Sequence, residues 1–257
     1  MKAVLLAGGL GTRMREETEF RPKPMVEVGG RPVLWHIMKL LGAQGITDFV
    51  ICTGYKSEFI KNYFYNYGAS NLDFTIRLGD QSNTVFHGAH DEFDWTVTVA
   101  DTGLNTMTGG RIKKIEKYLG GEPFLATYGD GLADIDLKAL LAFHESHGKT
   151  ASMTTTQAVS RFGVVDIGDN GSVLKFREKP RVNDWINIGY FIFQPEIFNY
   201  LDHNSVLEEE PLRKLAAQNQ IGAYQHKGFW QPMDTFRESQ MLNDMWDSGM
   251  APWRVWK

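Results

Sequence analysis

The chain has 257 residues and one cysteine, so intramolecular disulfides are excluded and an all-cysteine metal centre is out of reach. With 42% hydrophobic and 23% charged side chains it has an ordinary globular composition, which excludes disordered, collagen-like and coiled-coil classes. A net charge of -4, from 27 basic and 31 acidic side chains, supplies no global field for nucleic acid or anionic lipid, so any phosphate chemistry must be local.

Residues 2–7 are a continuous apolar run that stops at Gly8-Gly9, the pattern of a central parallel strand buried on both faces. The run is too short for a signal-peptide core and far below the about 20 residues of a bilayer span. The expectation is a cytoplasmic protein without a membrane partner, and the lone cysteine fits a reducing compartment. After Arg21-Pro22-Lys23-Pro24, Val33, Leu34, Ile37, Met38, Leu40 and Leu41 recur at helical spacing, and 49–52 is another buried strand. Phe59, Ile60, Tyr63, Phe64 and Tyr67 give a second helix, followed by a strand at 74–78, so that a second β-α-β unit is predicted after the first. The stretch 79–94 has no usable period and is predicted to be a long loop, a candidate lid or specificity element. Strands follow at 95–99 and 124–128, with a helix opening at Thr108-Gly109-Gly110-Arg111 between them and another at 136–147. From Ala151 the pattern turns more antiparallel, with Gly168-Asp169-Asn170-Gly171 as a hairpin turn and a strand at 186–193. Helices are predicted at 207–217 and 235–246, the latter opened by the capping-box pattern Thr235-Phe236-Arg237-Glu238.

Four features carry chemistry. Leu6-Ala7-Gly8-Gly9-Leu10-Gly11-Thr12-Arg13 is a glycine-rich turn after a buried strand, where backbone N–H groups can approach phosphate oxygens and Arg13 supplies a bidentate cation. It lacks the third glycine of a dinucleotide fingerprint and the Gly-Lys-Ser/Thr of a P-loop, which weakens dehydrogenase and P-loop ATPase readings. A tight turn with an exposed arginine is its bland alternative. Lys23, stiffened between Pro22 and Pro24, presents an ammonium from a restrained loop, although an isolated lysine is by default a surface residue. Asp130 follows a buried strand between two glycines, where ligands bind in open α/β sheets, and Asp234 precedes a helix. The two carboxylates are of the type that shares one Mg²⁺ whose other ligands are phosphate oxygens and water; turn formation at Asp130 and helix capping at Asp234 remain alternatives here. Lys179, in Glu178-Lys179-Pro180, is a weak candidate for a second phosphorylated substrate. His144 and His147 read as structural, and Trp246, Trp253 and Trp256 as a packing or subunit-interface element.

Taken in order, Leu6 to Arg13, Lys23-Pro24, Gly129-Asp130, Glu178-Lys179-Pro180 and Met233-Asp234 resemble the motifs of the sugar-phosphate nucleotidyltransferases. Met107-Thr108-Gly109-Gly110-Arg111, Trp230-Gln231-Pro232-Met233-Asp234-Thr235 and Ala251-Pro252-Trp253 are similar to their cytidylyltransferase branch, over essentially the whole chain. The resemblance implies one Rossmann-like, three-layer α/β nucleotidyltransferase domain over residues 1–257. Its sheet would be mixed and mostly parallel, with a smaller antiparallel, sugar-binding section at 151–232. The implied reaction is Mg²⁺-dependent cytidylyl transfer from CTP to α-D-glucose 1-phosphate. Its products would be pyrophosphate and CDP-glucose, a precursor of deoxysugars for surface polysaccharides. By the same resemblance Leu6, Ala7, Gly8, Gly9, Gly11, Thr12 and Arg13 bind the nucleotide with Lys23 on its phosphates, joined by Thr108, Arg111 and Gly129. Asp130 and Asp234 bind Mg²⁺, and these two with Arg13 and Lys23 form the catalytic set. Tyr128, Glu178, Lys179, Asn187 and Gly189 serve the sugar phosphate. The resemblance also implies a homo-oligomer, up to a hexamer, with no nucleic-acid partner. One position departs from the pattern: Asn187-Ile188-Gly189 carries a β-branched residue where similar enzymes have glycine or alanine. The acceptor is therefore open to another sugar or polyol phosphate, and another nucleotide is also open. A non-catalytic nucleotide-sugar sensor on the same fold is the alternative of a different class, with an NAD-type oxidoreductase more distant.

Overall fold

A computed structural model describes residues 1–160 and 162–256. The chain opens with β1 (Lys2–Ala7), a 3₁₀ turn at Thr12–Met14 and the single turn α1 (Arg15–Thr18). A second 3₁₀ turn at Lys23–Met25 leads to a small hairpin, β2 (Glu27–Val28) and β3 (Arg31–Pro32), and to α2 (Val33–Gly42). Next come β4 (Asp48–Thr53), α3 (Ser57–Tyr65), α4 (Tyr67–Asn71), the hairpin β5 (Asp73–Arg77) and β6 (Asp80–His87), and β7 (Thr96–Asp101). The middle of the chain supplies α5 (Thr108–Lys114), β8 (Phe124–Tyr128), β9 (Gly131–Ala133), α6 (Leu137–His147) and β10 (Ala151–Val159). The hairpin β11 (Val164–Ile167) and β12 (Val173–Arg177) precedes β13 (Arg181–Phe193), α7 (Glu210–Ala217), β14 (Ile221–Gln225), β15 (Trp230–Pro232) and α8 (Phe236–Asp247).

Seven strands form the central sheet in the order β14-β10-β13-β8-β1-β4-β7. The ladders β8-β1-β4-β7 and β10-β14 are parallel, and β13 alone reverses, pairing antiparallel with both β8 and β10. The antiparallel character expected from residue 151 onward thus resides in β13 and in the separate β11-β12 hairpin. Because successive strand residues face opposite sides, β1 sends Ala3, Leu5 and Ala7 to one core and Val4 to the other. On the first side lie Val33, Leu34, Ile37 and Met38 of α2, Leu140 of α6 and Leu242 of α8; on the second lie Ile112 of α5 and Leu215 of α7. A three-layer α/β domain results, and the doubly apolar runs of β1 and β4 are the strands that need cover on both faces.

Two local expectations are corrected. The strand near 74–78 is not part of a second β-α-β unit: β5 pairs only with β6 in a two-stranded hairpin, and β7 takes the sheet position beside β4. Asp73-Phe-Thr-Ile-Arg alternates polar and apolar, the pattern of a half-exposed ribbon, and the hairpin leaves Phe74 and Phe86 largely exposed. The stretch 79–94, expected to be a loop, contains β6. The predicted capping box of α8 is present, with Thr235 accepting from Glu238 N–H and Glu238 returning to the backbone.

The aromatic tail packs inward. Trp253 is fully buried, stacks on Phe229 and donates its indole N–H to His36 Nδ1. His144 and His147 both bond the buried Ser152 hydroxyl, the structural role expected of them. Among the described residues no helix is long and apolar enough to cross a membrane.

Candidate active site

The parallel strands β1, β4, β7 and β8 all end on one side of the sheet, and a cavity of about 540 Å³ opens there. Its wall carries Leu6, Ala7, Gly8, Gly9, Gly11, Thr12, Arg13 and Lys23 from the first turns, with Thr108, Arg111, Tyr128, Asp130, Asn187, Ile188 and Asp234 from distant segments. A larger cavity, about 710 Å³, lies between α3 and β7 and is lined by aromatic residues such as Tyr65, Tyr67 and Trp95. It holds none of the predicted residues, whereas the smaller one gathers opposed charges at strand ends, which marks it as the site.

The glycine-rich turn is shaped by two close approaches. Gly11 adopts φ 63°, a left-handed conformation that starts the Thr12–Met14 turn and aims Arg13 across the cavity. Gly8 leaves room for the Arg111 guanidinium, since a Cβ there would lie 2.1 Å from Nη1. Arg111 is 4% exposed, and burial lowers its pKa from the ordinary arginine value. Nη1 donates to Thr53 O, Thr102 Oγ1 and Gly103 O at 2.9, 2.6 and 2.9 Å, and Nη2 to Gly8 O and Leu104 O at 2.9 and 3.2 Å. The guanidinium therefore ties together the turns after β1, β4 and β7, a backbone clamp beneath the cavity in addition to lining it.

Asp130 and Asp234 meet through a short ladder. β9 pairs antiparallel with β15, Gly131 opposite Pro232, and Met233 N–H donates to Asp130 O at 2.9 Å. This places the two carboxylates side by side, with Asp234 held by its position one residue before the capped end of α8. Lys23 stands between them. Its Nζ is 2.5 Å from Asp130 Oδ2 and 2.6 Å from Asp234 Oδ1, and its side chain is 9% exposed. Burial thus overturns the surface-lysine alternative: Pro22 and Pro24 set the 3₁₀ turn that points the ammonium inward. Arg13, more exposed, reaches the other oxygen of Asp234 at 2.5 Å.

The donor set fits one hard divalent cation. Two carboxylate oxygens already converge on a single cationic atom, and among the described residues no group of three or more His, Cys, Asp or Glu side chains offers a complete protein cage. A site of two carboxylates, with its remaining positions left to substrate oxygens and water, is the arrangement Mg²⁺ favours beside phosphates.

The far wall comes from β13. Its register against β10 shifts between Met153 and Thr155, a bulge next to Asn187 and Ile188, which lie past the last residues of β13 paired with β8. Asn187 Oδ1 accepts from Gly189 N–H at 2.8 Å, and Gly189, at φ 86°, lies under the Tyr128 ring: a Cβ would fall 2.1 Å from Tyr128 Cδ2. Ile188 lines the cavity and is 4% exposed, so the departure from the family pattern sits within the site. Burial raises the Tyr128 pKa, with the neighbouring Glu208 carboxylate adding to it.

Glu178 and Lys179 do not join this cluster. They follow β12 on an exposed hairpin, side chains 62% and 56% exposed, and their charged groups face each other at 3.7 Å. Gly129 and Gly189 act as backbone: Gly129 N–H donates to Leu6 O at 3.0 Å. Sequence reasoning missed Trp230 and Pro232 as cavity wall and Glu208 as the partner of both Tyr128 and Thr108. Trp230 carried a signal, its place in the same segment as Asp234; Glu208 carried none. Cys52 is buried with its thiol pushed up to about 12 by burial, which removes it as a nucleophile.

The family of nucleotidyl transferases matches residues 2–235. A curated relative from Salmonella typhi, named glucose-1-phosphate cytidylyltransferase, is 48% identical over 260 residues, covering 100% of both chains. A Bacillus subtilis relative, named probable glucose-1-phosphate cytidylyltransferase, is 41% identical over 258 residues, again covering 100% of both. Among solved structures, HddC from Yersinia pseudotuberculosis shares the fold at a TM-score of 0.68 and 22% identity, covering 95% of this chain and 99% of that one.

Proposed function

The chain belongs to the nucleotidyl transferase family, and from that premise we propose that it transfers the cytidylyl group of CTP to α-D-glucose 1-phosphate, with Mg²⁺ as cofactor. The observation that carries the reading is the convergence of Lys23, Arg13, Asp130 and Asp234 on one point at the ends of the parallel strands. The choice of CTP and of glucose 1-phosphate is supported by full-length relatives that bear the cytidylyltransferase name.

A sugar-phosphate oxygen attacks the α-phosphorus of the nucleotide in line, the bond to the bridging oxygen breaks, and pyrophosphate leaves with its electrons. The acceptor phosphate has a second pKa near 6, so it is ionised at neutral pH and no protein base is needed. The chain's task is therefore positioning and charge. Backbone N–H groups of the glycine-rich turn face the triphosphate. Lys23 and Arg13 neutralise charge on the leaving pyrophosphate once the carboxylates take another partner. Asp130 and Asp234 would hold Mg²⁺, which supplies charge neutralisation and orients phosphate oxygens. Tyr128, Asn187 and Ile188 bound the space left for the acceptor.

The test is pyrophosphate release with Mg²⁺, crossing CTP, UTP, dTTP, ATP and GTP with glucose 1-phosphate and with no acceptor. Acceptor-dependent release with CTP supports the reading. A second reading rests on Ile188: its branched side chain in the cavity wall favours a different sugar or polyol phosphate, and release with CTP only on another acceptor would establish it. Silence with every nucleotide and acceptor favours a sensor.

A further inference from the structure

The Thr108-Gly109-Gly110-Arg111 sequence has a second function besides opening α5. The segment 202–208 lies directly on the two glycines: Gly110 N–H donates to Ser205 O at 2.9 Å, a Cβ on Gly110 would sit 2.4 Å from His203 O, and one on Gly109 would sit 2.8 Å from Ser205 Cβ. Any larger residue at either position would lift that segment away. Asp202 stiffens it from within by accepting from Asn204 N–H and the Ser205 hydroxyl at 2.7 and 3.0 Å, and Leu207 is fully buried.

From this fixed base Glu208 extends to the rim of the cavity. Its Oε1 accepts the Tyr128 hydroxyl and its Oε2 accepts the Thr108 hydroxyl at 2.6 Å, while Thr108 Oγ1 accepts Leu207 N–H at 2.9 Å. One carboxylate therefore bridges the end of β8 to the start of α5. Asn187 also bonds the Tyr128 side chain and Phe191 meets its ring edge-on at 6.4 Å, but the ring face rests on the bare Gly189 backbone, and Glu208 is the carboxylate that takes its hydroxyl proton.

We propose that Glu208 is a positioning residue for substrate selection, holding the Tyr128 ring as a wall of the acceptor subsite and tying that subsite to Thr108 on the nucleotide side. Because a hydrogen bond to a charged group is stronger than one to a neutral group, loss of Glu208 takes from the Tyr128 hydroxyl its carboxylate acceptor, while Thr108 keeps its bond from Leu207. The inference rests on the transferase reading above, so the wild-type protein is the internal reference.

Steady-state pyrophosphate release is measured for wild type, Glu208→Ala, Glu208→Gln and Tyr128→Phe, together with the thermal unfolding midpoint of each. For Glu208→Ala the expected result is a KM for the sugar 1-phosphate raised roughly tenfold, with kcat and the KM for CTP changed much less and the midpoint unmoved. Glu208→Gln keeps an acceptor for Tyr128 and should recover most of the loss. Tyr128→Phe should reproduce the Glu208→Ala shift, and adding Glu208→Ala to it should cause little further change, since both remove the same contact. Unchanged kinetics in Glu208→Ala overturn the inference while leaving the transferase reading intact. A lowered unfolding midpoint with kcat and both KM values impaired alike also overturns it, because that is the signature of a merely structural contact. A silent wild type overturns the transferase reading and this inference with it.

Discussion

Lys23 Nζ lies 2.5 Å from Asp130 Oδ2 while touching Asp234 on its other side, so the chain itself supplies the cation that keeps the two carboxylates together. A divalent ion taken up by these carboxylates would compete with Lys23 for the same oxygens and would free its ammonium for a phosphate.

Lys23→Ala leaves Asp130 without its cationic partner and Asp234 with Arg13 alone. The cost should fall below the roughly 3–5 kcal/mol of a fully buried broken pair, because Asp130 keeps 32% of its side chain exposed. MgCl₂ should restore stability in the variant and raise its unfolding midpoint more than that of wild type, read by thermal melts with and without the salt. Equal responses would show that Lys23 does not compete for the carboxylates. Turnover should fall about 10²-fold, as for loss of one charge-stabilising donor.

Asp130→Asn removes a charge without changing shape. The fold should persist, since β9 and β15 remain paired through the backbone, whereas pyrophosphate release should drop by about 10²-fold or more. Circular dichroism and the release assay on one preparation check both halves, and normal turnover in a well-folded variant would remove Asp130 from the metal site.

His36 gives the protein an acid limit. It is fully buried, bonds Val28 O at 2.7 Å through Nε2 and accepts Trp253 Nε1–H through Nδ1, so both ring nitrogens are committed to the neutral form. Burial lowers its pKa from 6.5 to about 4. Between these values the unfolded chain binds the proton and the folded one does not. The stability is therefore fully present above pH 6.5 and declines as pH falls towards 4, by about 3 kcal/mol in all. Urea unfolding at pH 7, 5 and 4 should show a shallower decline in His36→Asn than in wild type; parallel slopes would assign the acid sensitivity elsewhere.

Gly8→Ala should disrupt the turn. The new Cβ would meet the Arg111 guanidinium at 2.1 Å, and the guanidinium cannot retreat without giving up bonds to Gly8, Thr53, Thr102, Gly103 and Leu104. Arg111→Lys tests the same clamp from the other side, since an ammonium lacks the planar fork that reaches several carbonyls. Each should cost roughly 2–3 kcal/mol of stability and raise the KM for the nucleotide, measured by urea unfolding and initial rates. A stable Arg111→Lys protein with normal KM would mean that the strand-end turns hold without the clamp.

Much of the architecture was legible in the sequence because it is local. Residues 3–7 and 49–52 are apolar without alternation, which only a strand covered on both faces requires; the 33–41 spacing closes on one helical stripe; and Thr235 to Glu238 holds its own capping signal. The glycine-rich turn, Lys23 and the two aspartates were likewise visible as residue types at the right ends of elements. Phe74 to Leu78 misled because alternating residues suit a sheet strand and a free hairpin equally well, and nothing local says which partner a strand will find.

What only the tertiary structure decided is which of those residues meet. Asp130 reaches Asp234 through the β9-β15 register, Lys23 is driven inward between them by a proline-flanked turn, and Arg111 spends its guanidinium on three strand ends. Glu178 and Lys179, which belong to a motif of the resemblance, end on an exposed hairpin, while Glu208, with no motif, joins two walls of the cavity. Periodicity, propensity and capping are set by neighbours a few residues away and are written in the chain. Long-range contacts depend on strand register and on which segment lies over which glycine, and those are settled only when the whole core packs.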